Sequence, residues 1–522
     1  MSFPHPDNMP ALNLNTPSQL GKSSSVELNE GLLRHWIKQL PNNDLESYTQ
    51  LYMEALKRFH QNDINEQQRL LLLDLYREPL NQLLFSLTPS KLAKDIPHLS
   101  NRNKIIDALA DVMAELAVGY KIIIVQAERK DANLTPLSIA LLAINRSCEQ
   151  LSYMALHAYK FYRAVPVRVF NELHQLYQLT LTVGVEQNTP FVNSKLQSES
   201  SFKDRYSQLL LISISNPYGL AAGDILNAYK IMGRLAAATE ITPLPMGAKA
   251  TPGHFYINCL SDRVPTPSVL PMLTNQAQPP ALVLNTKPVL IAVDAFFQKV
   301  NNVQNAPNTI NINLLKQLTP YLNTSYERKQ PRTPVTGHKH AYLTVGLEAT
   351  HQCLTDANVL SEDSASPSAS WEILNKNNTG YLVSQHGVID RQDITIEALV
   401  GVFELGSAGE KTPLQLAVVR WVRTEHDGQT KIGLDVIEGD PSAVQHSVDN
   451  TDQMRAAMFL PEISRINRSA SLITATGVFE ANRIVQIKPK KNKRFKFTIR
   501  LGKLIESHSG FERFTFSDEV AE

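Results

Sequence analysis

The sequence predicts a multidomain α+β protein, with an N-terminal all-α helical bundle, a central small α/β module and a C-terminal β-barrel that carries a β-rich extension. Three observations support this fold class. The chain has 522 residues, which is too long for one hydrophobic core. Apolar residues recur at helical spacing up to about residue 186. After Arg332, segments rich in β-branched and aromatic residues are separated by glycine, as is typical of short strands.

The predicted domains follow these changes in composition. Residues 1–27 are polar and rich in proline, asparagine and serine, and we expect them to be disordered. The helical domain is expected over 28–186, the mixed α/β module over 203–322, the β-barrel over 323–450 and the β-rich extension over 451–522.

The helical domain is predicted from apolar stripes. In "NNDLESYTQLYMEALKRFH" the apolar positions follow one helix face: Leu45, Tyr48, Leu51, Tyr52, Ala55 and Phe59. Further helices are expected at about 66–86, 102–127, 136–162 and 167–183, and Pro166 suits a first-turn position of the last one. The polar segment 185–204 breaks this periodicity and predicts a linker.

The central module has mixed character. "YSQLLLISIS" fits a helix or a strand, whereas residues 222–239 predict a helix. "HFYINCL" predicts a strand, and "ALVLNTKPVLIAVDAFFQKV" predicts a strand or turn leading into a helix. In the β-rich region, Asp427-Gly428 predicts a hairpin turn in which both residues have positive φ.

Composition narrows the classes of partner and compartment. The net charge of +1 gives no global attraction to nucleic acid or membrane. The three cysteines (Cys148, Cys259 and Cys353) are far apart, which argues against disulfides and a zinc site and favours a reducing cytoplasm. The apolar runs fall short of a membrane span and the N-terminus lacks the pattern of a secretory signal. We therefore expect a cytoplasmic protein.

The sequence offers little support for catalysis, and we predict no enzyme activity and no cofactor. "GKSSS" at Gly21 lacks the earlier glycine of a phosphate-binding loop, and the metalloprotease, serine hydrolase, kinase and dinucleotide signatures are absent. His338, His340 and His351 lack the further ligands that a metal site needs, so no metal is expected.

The basic run "KPKKNKRFK" (488–496) is the strongest local charge cluster. It could contact an anion or a nucleic acid, with Phe495 available for stacking. We favour the exposed turn of a β-hairpin, because a single basic loop is a weak nucleic-acid signature. Its role stays open.

A pair of arginines suggests a ligand site. "TSYERKQPRTP" places Arg328 and Arg332 four residues apart on a proline-stiffened segment. Guanidinium groups make two-pronged contacts to guanine O6 and N7 and charge-assisted bonds to phosphate. About forty residues downstream, "WEILNKNNTGYLV" carries Asn375, Asn377 and Gly380 between two apolar strands. We expect a turn there that presents amide groups, with Gly380 adopting positive φ.

The order Arg-x-x-x-Arg, Asn-x-Asn-x-x-Gly, and then the strands "VGVFEL", "LAVVRWVR" and "IGLDVIEG", resembles a PilZ domain over about 328–445. PilZ domains are bacterial barrels that bind cyclic di-GMP. The layout also resembles longer bacterial proteins with a helical half before this barrel and a β-rich tail after it. The resemblance implies that Arg328 and Arg332 clamp guanine edges and phosphates, that Asn375 and Asn377 face a guanine edge, and that Gly380 closes the turn.

Two features depart from the PilZ pattern. Asn377 stands where serine is usual, and the connection from Arg332 to Asn375 contains the polar insert "TDANVLSEDSASPS". Among the neighbouring residues, Arg420 is expected to be a paired structural arginine and Trp421 a packing residue.

The resemblance implies a non-catalytic effector that binds cyclic di-GMP and thereby changes what protein partner the helical half binds. An alternative is a scaffold or chaperone-like interaction protein whose barrel does not bind nucleotide.

Overall fold

The computed structural model describes residues 12–17, 27–129, 136–269, 280–302, 311–323, 333–335, 339–355, 370–386, 394–404, 411–448, 453–489 and 497–518. The chain divides into two compact units, Met1–Glu327 and Arg328–Glu522. No helix within the described ranges is long and apolar enough to cross a membrane.

The first unit is largely helical. Its first nine helices are α1 (Glu30–Gln39), α2 (Leu45–His60), α3 (Glu66–Ser86), α4 (Pro89–Asp95), α5 (Leu99–Arg129), α6 (Leu137–Lys160), α7 (Val169–Val183), α8 (Phe202–Ile214) and α9 (Ile225–Leu235). Side chains of Asn29, Asp44 and Asn65 accept backbone N–H groups at the starts of α1, α2 and α3, which satisfies donors that have no partner inside the helix. The helical domain predicted from sequence is thus helical in the structure.

The predicted stripe of α2 is buried in part. Tyr48, Tyr52 and Phe59 are buried as expected, but Leu51 is 43% exposed. Leu56, which the predicted stripe omitted, is fully buried instead. The buried face is therefore rotated slightly from the predicted one.

A buried ion cluster joins α3, α6 and α8. Arg146 on α6 donates to both carboxylate oxygens of Asp74, with Nε and Nη2 each at 3.0 Å. Glu149, one turn further along α6, accepts from Arg77 at 2.9 Å and from Arg205 at 3.1 Å. Burial alone would raise the pKa of Glu149, but the surrounding guanidinium groups hold that pKa below its usual value. Each carboxylate of this cluster is therefore paired with guanidinium groups, and buried charges need such partners to be stable.

The segment predicted as a linker is a hairpin bound to α6. Strands β1 (Phe191–Asn193) and β2 (Leu196–Gln197) pair antiparallel. Arg146 donates to the Gln197 carbonyl at 2.7 Å. The Ser198 hydroxyl donates to the Asn145 amide oxygen at 2.8 Å. Polar residues here bond to a buried polar helix, so their polarity did not indicate a free linker.

A remote aspartate caps helix α7. The residue before the helix, Arg168, has φ of 76° and supplies no side-chain cap. Instead Asp262 accepts from the backbone N–H groups of Phe170 at 2.9 Å and Asn171 at 3.1 Å. Pro166 lies three residues before the helix, so its predicted first-turn position was wrong.

The rest of the first unit adds a small sheet. Strands β3 (Glu240–Pro243), β4 (His254–Asn258) and β5 (Ala281–Asn285) form an antiparallel sheet in the order β3-β5-β4. Helices α10 (Lys287–Asn302) and α11 (Ile312–Leu318) follow. One cluster of buried residues extends from Leu14 to Leu322 and includes members of α8, α9 and this sheet.

The second unit begins with seven strands and one helix. These are β6 (Thr333–Pro334), β7 (His340–Val345), α12 (Leu347–Thr355), β8 (Ser370–Asn377), β9 (Gly380–His386), β10 (Leu399–Glu404), β11 (Gln415–Thr424) and β12 (Gln429–Ile437). The sheet order is β6-β8-β7-β10-β11-β12-β9, and β8 pairs with β9 as well. Strands β8, β7, β10, β11, β12 and β9 therefore form a closed ring. The short strand β6 pairs with β8 beside this ring.

The predicted hairpin turn joins β11 to β12. The Glu425 N–H donates to the Gln429 carbonyl at 2.8 Å, and the Asp427 carboxylate accepts from the Gln429 N–H at 2.9 Å. Of the predicted pair Asp427 and Gly428, only Gly428 has positive φ, at 80°. The expectation that both residues have positive φ was therefore wrong. The loop has four residues, which removes the need for a second residue with positive φ.

The predicted β-rich extension, 451–522, forms a closed six-stranded barrel together with the strand Ser442–Val448, which was predicted to belong to the preceding domain. Its strands are β13 (Ser442–Val448), β14 (Arg455–Leu460), β15 (Ser471–Thr474), β16 (Ile484–Pro489), β17 (Phe497–Ser507) and β18 (Glu512–Asp518), in the order β13-β14-β15-β18-β17-β16. A second core joins this barrel to the preceding sheet: Leu347, Leu399, Leu416, Val418, Ile437, Met458, Leu460, Ile473 and Phe511 are buried together. The buried His351 on α12 also bonds the Val444 carbonyl at 3.0 Å. The two β-structures of this unit thus share a core.

Candidate functional site

The predicted site residues fall into two groups. Arg328 and Arg332 lie outside the described residues. Asn375 and Asn377 lie near the end of β8, and Gly380 begins β9, so the structure brings these three together on one hairpin.

The chain that directly follows Arg332 runs beside this hairpin. Thr333 pairs with Lys376, and Pro334 pairs with Asn375. The Val335 N–H donates to the Leu374 carbonyl at 3.2 Å. Thr333, which directly follows Arg332, therefore lies beside the part of β8 that carries Asn375 and Asn377.

Lys376 lies between the two asparagines on β8, so its side-chain direction identifies the face of the sheet on which the asparagine side chains lie. Its ammonium group lies 2.6 and 2.8 Å from the carboxylate oxygens of Glu404. The Tyr381 hydroxyl lies 3.1 Å from the Glu404 carboxylate and 2.8 Å from the Gln415 amide oxygen, so it can donate to either of them. Burial, with the nearby Glu404 carboxylate, raises the pKa of Tyr381. Sequence reasoning missed this polar group, although alternation along β8 could have placed Lys376 opposite the asparagines.

Asn375 and Asn377 therefore lie on the opposite face of the sheet from Lys376. Asn375 pairs with Leu382, and Asn377 pairs with Gly380. Paired residues of neighbouring strands carry their side chains on the same face. The two amides, Leu382 and Gly380 thus belong to one surface.

Asn377 closes the turn with its own side chain. Its amide oxygen accepts from the Thr379 N–H at 3.0 Å and from the Thr379 hydroxyl at 3.1 Å. This is the local bonding that favours asparagine in turns. Gly380 is not among the residues with positive φ, so the predicted reason for glycine there was wrong.

Asn375 differs from Asn377 in its bonding. Its amide oxygen is shielded from solvent and accepts no hydrogen bond from any residue in the described part of the chain. Leaving a buried acceptor without a donor is costly. A ligand that carries an N–H donor would satisfy this oxygen.

Two further side chains lie on the same surface. Arg420 donates to Asp435 at 3.2 and 3.0 Å, and both side chains are about half exposed. Asp435 pairs with Gly380 in the sheet. Trp421 packs against Gly433, where an added Cβ would lie 2.1 Å from the indole nitrogen. Arg420 is therefore paired, as expected, and the Trp421 indole lies against the neighbouring strand at Gly433.

The remaining candidates lie apart from this hairpin or outside the described ranges. His340 is exposed and its ring nitrogen lies 3.2 Å from the Ser370 hydroxyl, whereas His338 lies outside the described residues. Within those ranges no group of three or more metal-binding side chains converges. Of the basic run, the structure describes only Lys488 and Pro489, at the end of β16.

Comparison with known proteins gives three matches. Residues 31–246 match the family model described as "Cyclic-di-GMP receptor FimW, N-terminal domain". Residues 442–519 match the "FimW C-terminal beta-barrel domain". A relative from Pseudomonas aeruginosa strain PAO1, described as "Cyclic-di-GMP receptor FimW", is 22% identical over 535 aligned positions, which cover 87% of this chain and 85% of the relative.

The fold and the comparisons agree on the kind of protein. The chain has a helical unit followed by two successive antiparallel β-structures, the second of which is a closed barrel. The two family matches together cover more than half of the chain and correspond to its helical part and to its last barrel. Over these two ranges the chain is similar to the FimW N-terminal and C-terminal domains. Residues 247–441, which hold the candidate amides, lie between the two matched ranges.

Proposed function

We propose that this protein is a non-catalytic effector that binds the bacterial second messenger cyclic di-GMP at a PilZ-like site on the sheet β6–β12. The observation that carries this proposal is the pairing of Thr333 with Lys376, since it brings the chain next to Arg332 alongside Asn375 and Asn377. The description of the FimW relative as a cyclic di-GMP receptor supports the same ligand.

The chemistry of guanine fits the proposed residues. Arg328 and Arg332 donate to guanine O6 and N7 and to phosphate oxygens. Guanine also carries an N2 amino donor. The shielded amide oxygen of Asn375, which has no donor among the described residues, accepts from that group. Asn377 holds the hairpin and adds a second amide edge, and Gly380 closes the hairpin.

Binding at this site would act on the link between the two units. The chain divides at Glu327 and Arg328, so the arginine pair belongs to the segment that follows the helical unit. We propose that binding of cyclic di-GMP to this segment changes which protein partner the helical unit binds, in the cytoplasm. Such a shift requires the ligand to prefer one arrangement of the segment.

Calorimetric titration of the purified full-length protein tests the binding step. Cyclic di-GMP should release heat with saturation at one type of site, and GMP should not compete. Arg328→Ala and Arg332→Ala should each weaken binding by about five- to 150-fold, because each removes about 1–3 kcal/mol of guanine contacts. Arg455→Ala, at an exposed position on β14, serves as the matched control and should bind like the wild type.

The coupling step needs a separate measurement. Small-angle X-ray scattering of the full chain should change on addition of cyclic di-GMP in the wild type and stay unchanged in Arg332→Ala. Absence of any heat in the titration, together with no thermal stabilisation by cyclic di-GMP, would favour the alternative of an interaction scaffold that does not bind nucleotide.

A further inference from the structure

One row of paired residues crosses the surface that carries the candidate amides. Asn375 on β8 pairs with Leu382 on β9. Leu382 pairs with Gly433 on β12, and Gly433 pairs with Trp421 on β11. Because paired residues share a face, the indole of Trp421 lies on the same face as the Asn375 amide.

The indole does not stand above its own strand. It covers Gly433, since a Cβ built there would lie 2.1 Å from the indole nitrogen and 2.6 Å from two of its ring carbons. Trp421 therefore extends over β12 towards β9, which shortens its distance to Asn375. Neighbouring strands lie about 4.8 Å apart, so Gly433 and Asn375 are about 10 Å apart at their backbones.

The surroundings of Trp421 differ from those of a core tryptophan. Trp421 is partly exposed, whereas Trp371 on β8 is 2% exposed. Arg420, the next residue, is exposed and pairs with the equally exposed Asp435, and this type of ion pair contributes little stability. A flat aromatic surface with a guanidinium group beside it is the combination that binds bases and phosphates.

We propose that Trp421 is a binding residue that stacks on a purine base of the bound dinucleotide, with Gly433 providing the space for the indole. This inference rests on the proposed function, because it assigns one base of cyclic di-GMP to the amide hairpin and gives the indole the other. Arg420 then leaves Asp435 to contact a phosphate. A ligand with two bases spans the row from Asn375 to Trp421, and a mononucleotide does not.

The decisive variants separate stacking from packing. Trp421→Leu keeps an apolar side chain on Gly433 but has no aromatic face. Trp421→Phe keeps an aromatic face, although a smaller one than tryptophan has. Base–aromatic stacking is worth about ten- to a hundredfold in affinity. In calorimetric titrations with cyclic di-GMP, Trp421→Leu should bind at least tenfold more weakly than the wild type, and Trp421→Phe should lie between the two.

Fluorescence of the unaltered protein gives an independent measurement. The chain has three tryptophans, and a stacked purine quenches an indole. Cyclic di-GMP should quench the wild type, and Trp421→Phe should lose this quenching while still binding ligand in the calorimeter. Equal affinities of Trp421→Leu and the wild type, or quenching that persists in Trp421→Phe, would overturn the proposal that Trp421 stacks on a base. Either result would leave the proposed function intact. A wild type that binds no cyclic di-GMP would overturn both.

Discussion

His508 Nδ1 lies 3.1 Å from Glu397 Oε2, and this ion pair connects the closed barrel to the preceding sheet. Glu397 precedes β10, whereas His508 directly follows β17. The other ring nitrogen lies 3.2 Å from Glu506, which in turn lies 3.4 Å from Arg513. A histidine between two carboxylates is stabilised in its charged form.

The first prediction concerns pH. Burial opposes the charged imidazole, but Glu397 and Glu506 outweigh it and raise the pKa of His508 from 6.5 to about 9. The groups facing this site are Glu397, Glu506, Arg513 and, acting on Glu397, Arg420. A raised pKa contributes stability that is complete below pH 6.5 and is lost as the pH rises through about 9. The free energy of unfolding of the wild type, measured by urea denaturation, should exceed that of His508→Gln most below pH 6.5.

The control for this experiment is His340→Gln, which alters an exposed histidine of the same unit. It should not reproduce the pH-dependent difference. A difference between wild type and His508→Gln that stays constant from below pH 6.5 to above pH 9 would rule out the proposed charge on His508.

The second prediction concerns the remote cap of α7. Asp262→Ala removes the acceptor for the N–H groups of Phe170 and Asn171. The first unit should lose about 1–2 kcal/mol of stability, the cost of losing a helix cap. Asp262→Asn keeps an acceptor oxygen and should lose less. Urea denaturation followed by circular dichroism measures both, and equal losses would show that charge, not capping, is what Asp262 supplies.

The third prediction concerns the buried ion cluster. Glu149→Ala leaves the Arg77 and Arg205 guanidinium groups without the carboxylate between them. Removing one partner of a buried ion pair costs about 3–5 kcal/mol. Glu46→Ala, at a position in the first turn of α2 without a buried partner among the described contacts, should change stability far less. Comparable thermal denaturation of the two variants would contradict this role of Glu149.

The fourth prediction separates ligand binding from stability on the hairpin. Asn375→Ala removes a shielded oxygen that has no donor among the described residues, so stability should be unchanged or higher while affinity for cyclic di-GMP falls about tenfold. Asn377→Ala removes the acceptor for two Thr379 donors and should cost about 1 kcal/mol of stability. Calorimetry and thermal denaturation of both variants test this contrast. A loss of stability in Asn375→Ala without a loss of affinity would assign the residue to the fold.

The fold could be predicted where local patterning and tertiary packing agree. The bounds expected for the helix at 66–86 match α3, and the strand and helix expected from "ALVLNTKPVLIAVDAFFQKV" match β5 and α10. The hairpin β1–β2 was missed because its polar residues bond to Arg146 and Asn145, more than forty residues away in sequence. Periodicity reports which side of an element is apolar and carries no information about such distant polar partners.

The site could be predicted only as far as its motif extends. The turn at Asn377 follows from local chemistry, and the structure has it there. The relation of Trp421 to Gly433 depends on strand register, which the single sequence did not fix. The same is true of the cap that Asp262 provides for α7, because the two are about ninety residues apart.

The core shared by the two β-structures has a practical consequence for protein production. A fragment that stopped after β12 would expose Leu399, Leu416 and Val418 to water, and a fragment that began at β13 would do the same to Met458 and Ile473. Burial of such side chains supplies much of a domain's stability. Expression vectors for crystallisation or binding assays should therefore span this region without interruption, since either half made alone would tend to aggregate.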